Sequence, residues 1–129
     1  MKRKILIPFL FGFAMLASSC RHETDLSSLK QVSFANDIQP IIASNCAMSG
    51  CHSGNGSSGG EDELFPLTTY EEVIDEGDVR AGDAHGSKFY QVISNHTIEN
   101  VMPPSPYPPL SDNQIKLIYL WIEQGAKNN

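Results

Sequence analysis

With 129 residues, the chain is short enough to hold one small domain behind its N-terminal stretch. Nine basic residues against fifteen acidic ones give a formal net charge of −6, which argues against nucleic acid as a partner because phosphate binding needs a basic face. A domain of this size buries enough surface to fold by only a small margin, and its negative surplus suits a solvated protein that meets basic partners.

The first residues read as an address. Lys2, Arg3 and Lys4 form a positive head, and residues 5–17 are almost wholly apolar, broken by Pro8 and Gly12. That run is shorter than the roughly 20 apolar residues of a membrane span, so residues 1–19 are expected to be a secretory signal. Leu16-Ala17-Ser18-Ser19-Cys20 resembles a bacterial lipobox, with Ala17 where leucine is usual and Leu16 one step back. The resemblance implies an exported protein, lipidated at Cys20 and anchored to a bacterial membrane in the periplasm or at the cell surface. The alternative is an ordinary signal peptide with a leftover cysteine. Cleavage before Cys20 leaves 110 residues, removes three basic and no acidic residues, and takes the net charge from −6 to −9.

Residues 20–32 are polar and aperiodic and read as a tether; the folded domain is expected over 33–129. Phe34, Ile38, Ile41 and Ile42 fall on one helical stripe. Pro40 is comfortable only in a first turn, which places the expected N-cap at Asn36 or Asp37 and the helix end near Asn45. Residues 53–60 form a glycine- and serine-rich loop, and Glu61-Asp62-Glu63 reads as a solvated face without the alternating ligands of a calcium loop. Thr69-Tyr70-Glu71-Glu72 is a capping box that opens a short helix to about Asp75, with Gly77 as its stop. Residues 87–94 give another short helix. Five of the eight prolines lie within 100–110, where a stiff extended loop is expected. Ser111 and Gln114 then form a second capping box, with Leu110 placed to staple onto Ile115. Ile115, Ile118, Tyr119 and Ile122 make a stripe, widened by Leu117, Leu120 and Trp121, and Gly125 stops the helix. No run alternates as a strand would, so the fold class expected is all-α.

The chemistry sits in Cys46-Ala47-Met48-Ser49-Gly50-Cys51-His52. Two cysteines followed at once by a histidine are the arrangement for covalent haem attachment. Each thiol adds across a haem vinyl group, and the imidazole of His52 takes one axial position on iron. The usual spacing has two residues between the cysteines. Here there are four, and Ser49-Gly50 is the natural place for the added turn. Across the iron, Met102 is the expected distal ligand, because it heads Met-Pro-Pro on a loop that prolines stiffen. Met48, between the cysteines, is tethered too close to its own face of the ring. His96 is the rival to Met102; His22 falls in the tether, and His85 reads as structural or exposed.

These features resemble a small monohaem class I c-type cytochrome domain of an exported bacterial lipoprotein. The likeness covers residues 34–126 and is carried by Phe34-Ala35-Asn36-Asp37-Ile38-Gln39-Pro40-Ile41, the cysteine–histidine motif, Met-Pro-Pro, and Trp121-Ile122-Glu123-Gln124-Gly125-Ala126. It implies three to five helices around one haem c, with the first and last helices crossing, and electron transfer to redox partners that present a basic face. No serine, histidine and carboxylate are grouped for nucleophilic catalysis, so a carrier is expected rather than an enzyme. Two other readings stay open: a Cys46–Cys51 disulfide in an exported binding module, and structural zinc on Cys46, Cys51, His52 and a further histidine.

Overall fold

The computed structural model describes residues 29–54, 64–95 and 100–129. The signal segment, Cys20, His22, the acidic run Glu61-Asp62-Glu63 and His96 lie outside the described residues. Within them the chain is helical, with no strand: a π-helical turn Phe34–Ile38 runs into α1 (Gln39–Asn45), followed by α2 (Tyr70–Asp75), α3 (Lys88–Ser94) and α4 (Asp112–Glu123). No helix among the described residues is long and apolar enough to cross a membrane.

The first helix begins earlier than its proline suggests. Ser33 is the N-cap, its hydroxyl accepting from the Asn36 N–H while its own N–H donates to Asp37 Oδ2 at 2.8 Å. Pro40 has no N–H to give, and its ring crowds the carbonyl four residues back. The chain meets both constraints by widening the preceding turn: the N–H groups of Ile38 and Gln39 bond five residues back, to Ser33 and Phe34. Asp37 is therefore a capping partner, not the cap. The expected stripe survives intact, with Phe34, Ile38, Ile41 and Ile42 all buried.

The two capping boxes form as their sequences dictate. Thr69 with Glu72 opens α2, and Ser111 with Gln114 opens α4, both halves of each box being made. At the other end of α4, Ala126 N–H bonds to the Trp121 carbonyl and Gly125 N–H to that of Ile122. With Gly125 at φ 98°, this is a Schellman stop. The buried line of α4 is Ile118, Trp121 and Ile122, while Ile115, Tyr119 and Leu120 are only half-buried. Trp121 thus sits at the centre of the helix face. Its indole lies 5.5 Å from the Phe34 ring, with Tyr70 edge-on to Phe34 at 5.1 Å.

Polar contacts close the domain on itself. The indole N–H of Trp121 donates to the Lys127 carbonyl, Tyr70 OH donates to that of Ala126, and the Ala35 N–H and Ser33 hydroxyl donate to that of Asn129. Val32 is already buried and donates to Gln124 Oε1, so packing starts at the last residue of the stretch read as tether. The 76–87 connection lies along the end of α4. Gly82 donates to the Ile122 carbonyl and Ala84 to Glu123 Oε1, around a fully buried Ser87. In this frame α4 packs on the π-helical turn and on α3, leaving the end of α1 and one face of α3 to build a site.

Candidate functional site

Cys46 is the C-cap of α1. Beyond it, Met48 to Cys51 form a tight turn in which the Cys51 N–H donates to the Met48 carbonyl at 2.9 Å. Gly50 occupies the third position at φ 82°, the left-handed conformation that a type II turn requires there. The His52 N–H then returns to the Cys46 carbonyl at 3.0 Å. The four residues between the cysteines are thus taken up in a closed loop, and His52 still emerges beside Cys46.

His52 is 7% exposed and held from two sides. Its carbonyl accepts from the Leu67 N–H at 2.9 Å, and its ring Nδ1 lies 2.7 Å from the Phe65 carbonyl, with the Phe65 ring against the imidazole at 4.9 Å. A carbonyl only accepts, so Nδ1 must carry the proton. With that proton on Nδ1, the neutral form of the ring has its lone pair on Nε2, the arrangement of a metal-ligating histidine whose other nitrogen donates to a carbonyl.

A cavity of about 360 Å³ opens in front of this loop. Cys46, Met48, Cys51 and His52 line one part of it; Phe89, Val92 and Ile93 of α3 form an apolar wall; Met102 and the prolines after it form another. Met102 is half-buried, and its N–H donates to the Val92 carbonyl at 2.8 Å, which ties the proline loop to the end of α3. The fold therefore brings His52 and Met102, fifty positions apart in sequence, to the same apolar space. Cavities of this size, roughly 300–1,000 Å³, are typical of small-molecule and cofactor sites.

The two cysteines are free thiols. Burial, and secondarily the neighbouring Cys51, push the Cys46 thiol up to about 11, so it is protonated at neutral pH. Among the described residues no three His, Cys, Asp or Glu side chains converge to hold a metal ion. His85 is exposed, lies off the cavity and packs edge-on against Tyr90 and Tyr119. Sequence reasoning missed three parts of the site: the Phe65 carbonyl that orients His52, the α3 wall, and two charged residues on the cavity lining, Glu76 and Lys88, which are not ion-paired with each other. The wall had a signal, since Phe89, Val92 and Ile93 fall at i, i+3 and i+4. A backbone carbonyl donated from thirteen residues away has none.

Comparison with family models, with curated proteins and with solved structures finds no match to this chain.

Proposed function

We propose that this protein is an electron carrier built on a cytochrome c-like domain. It would hold one haem c by thioether bonds from Cys46 and Cys51, with His52 and Met102 as axial ligands. The observation that carries the reading is the shared cavity: both thiols, an oriented imidazole and a distant thioether meet in one apolar space. Those donors fit the group. An apolar ring needs apolar walls, the vinyl carbons need thiols, and a low-spin iron needs one ligand from each side.

When bound, the haem supplies a one-electron ferric/ferrous couple. The protein's own residues then do the rest. Phe65 holds His52 in the ligating tautomer, and the bond from Met102 to Val92 limits how far the thioether can move between redox states. Phe89, Val92 and Ile93 would keep water from the bound ring, and with His52 and Met102 holding the iron the site would favour a higher potential than paired histidines. Phe65 and Tyr107, both lining the cavity, are among the few exposed large hydrophobic residues of the described part and offer an apolar landing surface at its mouth. The negative charge of the chain then favours a basic partner. Export and lipidation at Cys20, expected from the lipobox-like Leu16-Ala17-Ser18-Ser19-Cys20, would put the carrier on a membrane surface.

The test is a spectroelectrochemical titration of protein exported alongside a cytochrome c maturation system. A reversible one-electron couple with a pyridine haemochrome of the thioether type is expected. Protein without haem under these conditions would overturn the reading, and a Cys46–Cys51 disulfide module would replace it.

A further inference from the structure

Among the described residues Lys88 is the one cation on the cavity lining; Lys30, Arg80, Lys116 and Lys127 all lie off it. Its backbone is fixed at the start of α3, its N–H donating to the Asp78 carbonyl at 3.1 Å. The described residues contain a single ion pair, Arg80 with Asp78 at 3.6 Å, so Lys88 has no carboxylate of its own. Glu76, the other charged lining residue, would repel an anion. A cavity whose surface is almost wholly apolar, with the exposed Lys88 as the one cation among its described lining residues, suits an amphiphile with a carboxylate at one end.

Resting on the haem reading above, we infer that Lys88 is a positioning residue that pairs with a haem propionate. It sets which edge of the ring faces the mouth and raises the reduction potential by compensating that carboxylate's charge. Because Lys88 is exposed, the pair is a screened one, and its effect is modest and dependent on salt.

The test compares the holoprotein with Lys88→Gln, Lys88→Arg and, as a cation off the cavity, Lys116→Gln. At low ionic strength and fixed potential, Lys88→Gln should lower the ratio of reduced to oxidised protein about threefold, roughly 28 mV at about 59 mV per tenfold for one electron. Lys88→Arg and Lys116→Gln should leave the ratio near the parent value, and added salt should erase the Lys88→Gln shift. The propionate carboxylate stretch in redox-difference infrared spectra should move in Lys88→Gln alone, a readout that loss of a merely structural side chain would not give. Haem retained in all variants with an unmoved ratio, an unmoved band, or an equal shift from Lys116→Gln would overturn the role of Lys88 and leave the haem reading standing. Parent protein without haem would overturn both.

Discussion

Gly50 is the residue on which the unusual cysteine spacing turns, and Gly50→Ala isolates its contribution. At φ 82° an L-residue with a Cβ is strained, yet a Cβ added there meets nothing within 4 Å. The cost is therefore conformational rather than steric, about 1–2 kcal/mol for an L-residue in the left-handed region. For a domain of this size that is about 4–8 °C of melting temperature per kcal/mol. Gly77→Ala supplies the contrast, since its Cβ would fall on the backbone carbonyl of Val73 and against the Phe89 ring, and it should cost more than strain alone. The assay is thermal unfolding followed by circular dichroism on Gly50→Ala, Gly50→Asn and Gly77→Ala. Asparagine tolerates the left-handed region and should recover at least half of what alanine loses. Between Gly50→Ala and Gly50→Asn the same order should hold for haem attachment, because the Met48–Cys51 turn sets the distance between the two thiols. If Gly50→Ala melts with the parent, the Met48–Cys51 turn is not the one described, and the explanation of the four-residue spacing fails with it.

Three further outcomes follow from other parts of the fold. Ile38 is fully buried on the π-helical turn, and Ile38→Ala should cost about 2–5 kcal/mol in a chemical unfolding titration; a loss below about 1 kcal/mol would mean that this face is not core. Glu72 is held below its usual value of 4.5, first by the Thr68 hydroxyl and then by the Thr68 and Thr69 N–H groups. Its folded value lies under its unfolded one, so its stabilising effect is present above about pH 4.5 and lost as pH falls through the depressed value. Parent protein should therefore melt above Glu72→Gln at pH 7, with the gap closing on acidification; a gap that stays constant down to pH 3 contradicts the assignment. Met102→Ala should keep covalent haem but abolish the weak sulfur-to-iron charge-transfer band, whereas a band that survives would exclude Met102 as the ligand.

The parts of this molecule legible in its sequence are those written in local patterns. The boxes at Thr69 and Ser111 specify two helix starts because each is satisfied within four residues. The Phe34–Ile42 stripe was legible because burial follows a helical period. The start of that helix was not, because Pro40 is accommodated by a π-helical turn upstream, a local choice that no single residue announces. On α4 the stripe was right in period and shifted in centre, since Trp121 is drawn inward by Phe34 and Tyr70 from elsewhere in the chain. The site divides the same way. Cys46, Cys51 and His52 form a contiguous motif, whereas Lys88 and the Phe65 carbonyl reach the cavity only through the packing of distant loops.

The central claim is that Cys46 and Cys51 carry haem. It is tested most directly by haem staining after denaturing electrophoresis of protein exported with a maturation system, beside Cys46→Ala/Cys51→Ala. Stain that stays with the parent chain through denaturation and is absent from the double variant is the expected result. A parent band without stain, or stain that persists in the double variant, would contradict it.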